Sequence, residues 1–187
     1  MTGKGIYYEK VRVTGVRSRR VEIFGVHPDS IRISSGEFSR SVARAVGRCL
    51  SSPEFVCREE KTTVVFDTVP ALRTESVKLV CARNGEKVSG DTVSLFENGE
   101  GCFYSLVADG MGSGKEAALT SGLCSVFLEK MLRAGNRAAT SLRMLNNMIA
   151  SRAHDSTKEC SSTVDLLELD LMTGEGAFLK SGAAPSF

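Results

Sequence analysis

The chain has 187 residues, 42% hydrophobic and 25% charged, which reads as a soluble, globular polypeptide holding one medium domain or two small ones. Its net charge of +2 is too small to argue for a nucleic-acid partner, and no apolar run nears the roughly 20 residues needed to cross a bilayer. Six scattered cysteines without a CxxC pair and only two histidines argue against a disulfide framework, a zinc centre or a Ser/His/Asp triad. The polar, glycine-bearing N-terminus does not read as a signal peptide.

In chain order, residues 11–13 and 21–24 predict two strands around a basic turn at 15–20. Arg17, Arg19 and Arg20 in that turn read as a solvated strand face, because Glu22 follows. Residues 31–33 fit a third short strand or a loop. Ser34 or Ser35 can cap a helix reaching about Leu50, with Phe38, Val42, Ala45, Val46 and Leu50 on its apolar face. Ser51-Ser52-Pro53 ends it. Residues 55–57 and 62–66 then predict a strand pair around a charged turn, completing a small ββαββ unit that closes near Pro70.

Beyond it, the alternation over residues 76–82 predicts a strand, and Asn84-Gly85-Glu86 a turn. Residues 91–97 and 102–108 predict a hairpin across Asn98-Gly99-Glu100-Gly101, the strongest hairpin signal in the chain. A helix is expected over residues 116–134, stopped by Gly135, with Leu119, Leu123, Val126 and Phe127 as its core stripe. Thr140 can cap a second helix to about Arg152, placing Leu142, Leu145 and Ile149 on one face. Residues 163–171 and 175–180 predict a further hairpin across Thr173-Gly174, and residues 181–187 enter a loop.

Asp109-Gly110-Met111-Gly112-Ser113-Gly114 carries the chemistry. An acid at the end of a strand opens into a loop with three alternating glycines, and a helix follows. Ser89-Gly90-Asp91 leads into the partner strand, and antiparallel pairing sets the start of one strand beside the end of the other. A three-residue loop would pair Glu97 with Gly101 and put Asp91 opposite Val107, with Asp109 on the same face two residues on. An even-length loop would put the acids on opposite faces unless a bulge intervenes. Carboxylates and backbone carbonyls suit Mg²⁺ or Mn²⁺, and such ions in pairs bind phosphate oxygens and activate a water for in-line attack. Gly110 lets the backbone come close, so its carbonyl can join the ligand set. The plainer reading is an Asp-Gly turn with glycines that cap the next helix. The alternating glycines, the buried-type strand and the partner acid favour the functional one.

Other candidates are weaker. Gly112-Ser113-Gly114-Lys115 fails the Walker spacing and GxGxxG alike, which leaves Lys115 a solvated first-turn residue. Asp165 is expected to pair within its sheet, His154 to lie in a polar loop without a role, and the cysteines to be packing residues.

Four motifs in order carry a family likeness: Val88-Ser89-Gly90-Asp91, Val107-Ala108-Asp109-Gly110-Met111-Gly112-Ser113-Gly114, Ser162-Thr163-Val164-Asp165, and the run from Phe178 to Phe187. Together they resemble the stage II sporulation protein E family, PPM (PP2C-like) serine/threonine phosphatases of endospore-forming bacteria. The likeness runs from about Val77 to the end, and the preceding region resembles the segment before the phosphatase. It implies an α+β fold: part of an αββα sandwich, with metals at one end, preceded by the ββαββ unit. Residues 1–72 would be a regulatory-type segment and 73–187 the N-terminal part of the phosphatase domain. By the same resemblance Asp109 would be catalytic, bridging two Mn²⁺ or Mg²⁺ ions. The Gly110 carbonyl would bind one ion, and Asp91 would be a ligand or hold a metal-bound water. The two helices between residues 116 and 152 would correspond to elements of regulatory switching.

The implied substrate is a phosphorylated anti-anti-sigma factor, whose dephosphorylation frees a sporulation sigma factor. The full-length family protein is membrane-anchored and acts at the cytoplasmic face, whereas this chain alone would be soluble. The family's later aspartates fall beyond Phe187, so a C-terminally truncated, inactive domain is expected, with exposed edges and apolar surface that favour self-association, for instance as a dimer. Two alternatives stand beside this. One is a non-catalytic interaction module. The other is a histidine-kinase-like nucleotide-binding domain, whose DxGxG loop residues 109–113 partly imitate.

Overall fold

The computed structural model describes residues 6–27, 34–58, 61–155 and 161–185, without the side chains of 152–155. The chain divides into two compact units, Met1–Arg73 and Thr74–Phe187.

In the first unit β1 (Lys10–Thr14), β2 (Arg20–Val26), α1 (Ser35–Val46), β3 (Glu54–Arg58) and β4 (Lys61–Asp67) give the expected ββαββ order, and the antiparallel sheet runs β1-β2-β4-β3. Period-two alternation turns Val21 and Ile23 of β2, and Val64 and Phe66 of β4, inward against Phe38 and Val42 of α1. Phe38 and Phe66 meet edge to face with ring centroids 5.6 Å apart. Arg20 is exposed on the strand face, as expected, and there makes a paired bond to Asp67, its cross-strand neighbour, which holds that carboxyl below its ordinary value. Ser34 caps α1 by accepting from the Glu37 amide at 3.2 Å. The helix stops at Val46 rather than near Leu50. Gly47 turns left-handed (φ 67), and its amide and that of Arg48 both close onto the Ala43 carbonyl. Leu50 then bridges to Thr68. The expectation for residues 31–33 lies outside the described residues.

The second unit contains β5 (Asp91–Glu97), β6 (Cys102–Gly110), α2 (Gly114–Arg133), α3 (Ala138–Asp155), β7 (Ser162–Asp170) and β8 (Gly176–Ser181), with an antiparallel sheet in sequential order β5-β6-β7-β8. One sheet face supplies Phe96, Tyr104, Leu106, Ala108, Val164 and Leu166 to a core shared with Cys124, Leu128 and Leu132 of α2 and Leu145 of α3. Each large apolar side chain buried there contributes about 1.5–3 kcal/mol. The described residues of this unit thus form one sheet with one helical layer, and the chain as a whole is of the α+β class expected. By alternation the opposite face carries Asp91, Val107, Asp109, Asp165 and Phe178, the last 60% exposed.

Several expectations are corrected. Residues 76–82 form no strand, and Val77 and Leu79 are 97% and 83% exposed. Alternation does not make a strand without a partner ladder, and the segment pairs with none among the described strands. Of the stripe Leu119, Leu123, Val126 and Phe127, only Phe127 packs against the core: Leu119 is 75% exposed and Val126 58%. The buried face is Ala117, Ser121, Cys124, Ser125, Leu128 and Leu132. It starts two residues earlier than the expected stripe, roughly 200° round the helix. Small side chains at 117 and 121 let the helix sit close to the sheet. α3 runs past Arg152 to Asp155, so His154 lies in a helix rather than a loop. Of the described cysteines, Cys102 and Cys124 are buried packing residues, whereas Cys49, Cys57 and Cys81 are exposed.

Candidate functional site

The β5–β6 turn decides where the acids stand. The Asn98 side-chain oxygen accepts from the backbone amides of Glu100 (3.0 Å) and Cys102 (2.9 Å), and the Asn98 backbone N–H donates to the Cys102 carbonyl at 3.0 Å. This turn pairs Glu97 with Phe103 and leaves residues 98–102 as the loop, two residues longer than the three-residue one. The connection stays odd, so both acids share a face, and Asp91 stands directly opposite Asp109.

Facing carboxylates raise each other's cost of ionisation. Burial, then a hydrogen bond to Asp91 and the charge of Asp91, push the Asp109 carboxyl above its ordinary value of 3.8. Asp91 is steadied by Ser89, whose hydroxyl donates to its carboxylate at 3.4 Å and accepts from its amide at 3.1 Å. The Asp109 carbonyl accepts from the Ser162 hydroxyl at 2.8 Å.

Gly110 is buried, and its amide donates to the Gly90 carbonyl at 3.1 Å. A Cβ at 110 would lie 2.1 Å from the Ala117 carbonyl oxygen, so the close approach that a glycine allows here is that of α2. The Gly110 carbonyl oxygen lies 3.5 Å from where a Cβ on Gly90 would stand, on the Gly90 side of the loop. Gly112 turns left-handed (φ 96) and swings the chain into α2.

A cleft of about 260 Å³ opens beside the acid pair. Its walls include Glu86, Ser89, Gly90 and Asp91 on one side and Asp109, Gly112, Ser113 and Gly114 on the other. α2 begins at this cleft, and the positive end of its dipole favours an anion there. The donor set fits a hard divalent cation: two facing carboxylates whose mutual repulsion a cation relieves, beside glycine carbonyls. Among the described residues no group of three or more His, Cys, Asp or Glu side chains assembles around one such point.

Asp165 faces Lys180 across β7–β8 and pairs with its ammonium group, as expected of an acid tied up within the sheet. Lys115 is exposed. Sequence reasoning missed Glu86, whose carboxylate accepts from the Ser113 hydroxyl at 3.1 Å. The turn signal at residues 84–86 marked its place, but no motif marked its partner.

The fold has a solved counterpart. One solved structure, of the PP2C phosphatase domain and a fragment of the regulatory domain of SpoIIE from Bacillus subtilis, is similar to this chain with a TM-score of 0.66 and 23% identity, over 95% of this chain and 52% of that one. The fold is therefore similar to that of part of this PP2C domain and regulatory fragment. Residues 99–187 match the family described as Stage II sporulation protein E (SpoIIE). Stage II sporulation protein E of Bacillus subtilis (strain 168) is 28% identical over 193 residues, covering 96% of this chain and 23% of that protein. The Priestia megaterium protein is 27% identical over 194 residues, covering 96% of this chain and 33% of that protein. The likeness to stage II sporulation protein E carried by the four motifs is thus borne out. The chain spans about a quarter to a third of the length of these curated relatives.

Proposed function

We propose that the chain is part of a metal-dependent serine/threonine protein phosphatase of the PPM type. The observation that carries this reading is the pairing of Asp91 with Asp109 at the edge of a cleft into which the N-terminus of α2 opens. Asp91, Asp109 and the Gly110 carbonyl are the residues that would hold Mn²⁺ or Mg²⁺. Such ions, when bound, neutralise phosphoryl oxygens and lower the pKa of a coordinated water.

The chain's own residues do the rest. The Asn98 turn fixes the register that brings the two carboxylates face to face. Ser89 and Ser162 hold the Asp91 side chain and the Asp109 backbone. Contact with Ala117 locks the Gly110 backbone in place. The start of α2 supplies a positive electrostatic wall for a phosphorylated side chain.

Residues 73–187 would be part of the phosphatase domain, and 1–72 a regulatory-type segment. The relatives' name supports a role in sporulation. A phosphorylated anti-anti-sigma factor is the substrate we propose, acted on at the cytoplasmic face by a longer, membrane-anchored protein. Further carboxylates from that longer protein would complete the ligand set.

The test is hydrolysis of a phosphoserine peptide by the longer protein with Mn²⁺. Asp109→Asn and Asp91→Asn are each expected to lower the rate by 100-fold or more. An Asp109→Asn protein as active as its parent would overturn the reading.

A further inference from the structure

Residues 74–90 form one wall of the cleft, yet little binds them. They have no helix or strand, and 75–88 are all exposed. Thr74 anchors the near end through its hydroxyl bond to Glu97, 3.1 Å. The far end is held by Ser89 and by the Gly90 carbonyl, which accepts from the Gly110 amide. Between them, over 75–88, one hydrogen bond joins the segment to the rest of the unit among the described residues: the Ser113 hydroxyl donating to Glu86 Oε1 at 3.1 Å. Glu86 Oε2 presses against Gly114, lying 2.9 Å from where a Cβ there would stand.

That bond has a cost elsewhere. Ser113 is the N-cap of α2, and its side chain makes no capping hydrogen bond. The hydroxyl that would cap the helix faces Glu86 instead. The carboxylate therefore sits at the start of α2, where amides without an intrahelical partner and the helix dipole favour negative charge. It also lines the same cleft as Asp91 and Asp109. A phosphorylated side chain entering the cleft needs that wall and meets an anion already on it.

We propose that residues 74–90 are a strap latched across the cleft by Glu86, whose carboxylate holds the place of a phosphoryl group at Ser113 and the start of α2. Release of the latch frees the Ser113 hydroxyl and removes a negative charge from the entry. The device is autoinhibitory, and its effect on phosphate rests on the reading of the site given above.

Two measurements on the longer protein test it, with Glu86→Ala and Ser113→Ala as variants; both positions are exposed, and neither belongs to the proposed ligand set. First, trypsin cleavage after Arg83 and Lys87 within the strap, followed by mass spectrometry without metal, is expected to quicken about 5–10-fold in either variant, with no further gain in the double variant. Unchanged cleavage in both single variants would overturn the latch. Second, calorimetry with Mn²⁺ alone should give the same affinity for parent and Glu86→Ala. Titration of inorganic phosphate into the Mn²⁺-loaded proteins should give about 5–10-fold tighter binding to Glu86→Ala. Weaker Mn²⁺ binding would make Glu86 a ligand and overturn the proposal, as would phosphate binding no tighter than the parent's. If no variant binds Mn²⁺, the metal reading of the site fails, and the cleavage rates alone uphold or overturn the strap.

Discussion

The Ala117 carbonyl oxygen stands 2.1 Å from where a side chain on Gly110 would begin. Helix and strand end are therefore in backbone contact beside the acid pair, and the glycine is needed for space. Gly110→Ala must push α2 off the sheet or bend the end of β6. It is expected to cost about 2–3 kcal/mol, the scale of overpacking in a filled interior. Gly112→Ala is the control. Nothing lies within 4 Å of its Cβ position, but φ is 96, and the left-handed backbone alone costs about 1–2 kcal/mol. Urea denaturation of both variants checks this, and a Gly110→Ala no worse than Gly112→Ala would remove the contact explanation.

The Asp91–Asp109 pair should cost stability at neutral pH. Asp109 binds its proton more tightly in the folded chain than in the unfolded one, because its carboxyl is raised above 3.8 by burial and by Asp91. Folding is then favoured most below that ordinary value, and the advantage is lost as pH rises through the raised one. Asp109→Asn removes the repulsion. After allowance for solvent screening of an exposed pair, a gain of about 0.5 kcal/mol is expected at pH 7, or roughly 1–2 °C in Tm. The gain should shrink towards pH 3. Thermal unfolding at pH 3, 5 and 7 measures it, and an Asp109→Asn chain less stable than its parent at pH 7 would contradict the repulsion account.

A divalent cation should reverse that cost. At about 100 times its dissociation constant, Mn²⁺ is expected to add about 2.7 kcal/mol to stability, and a chelator to remove it. Protons compete for the same carboxylates, so the shift should fade as pH drops through the raised value of Asp109. Asp91→Asn and Asp109→Asn should each lose most of it. Equal shifts in parent and both variants would place the ion elsewhere.

Local chemistry made part of this architecture legible in the sequence. The β5–β6 hairpin could be read because Asn98 and Gly101 favour a turn, and the ββαββ order because its strands alternate. Register was beyond reach. Composition leaves odd and even loops open, and the bonds from Glu100 and Cys102 to Asn98 decide between them. The expected strand at 76–82 failed because strands exist by pairing, and no local pattern names a partner. The α2 stripe failed for the opposite reason. Two helical faces were periodic, and in the first turns the larger apolar residues, Leu119 and Leu123, lay on the outer one, while Ala117 and Ser121 gave the closer approach. The contact between Glu86 and Ser113 joins residues 27 positions apart in chain order and leaves no trace in either neighbourhood.

The corrected face of α2 makes a direct prediction. Leu128 is fully buried among Phe96, Tyr104 and Leu106 on the sheet side of the core, whereas Leu119 is 75% exposed. Leu128→Ala removes three carbons from a filled interior and leaves a cavity, so a loss of about 2–4 kcal/mol is expected. Leu119→Ala removes the same atoms from water and should change stability by no more than about 0.5 kcal/mol. The two substitutions share chemistry and helix propensity, so the difference between them reports burial alone. Chemical denaturation of both chains gives that difference. Comparable losses would mean that both sides of α2 are covered in solution, and that the outer stripe has a partner.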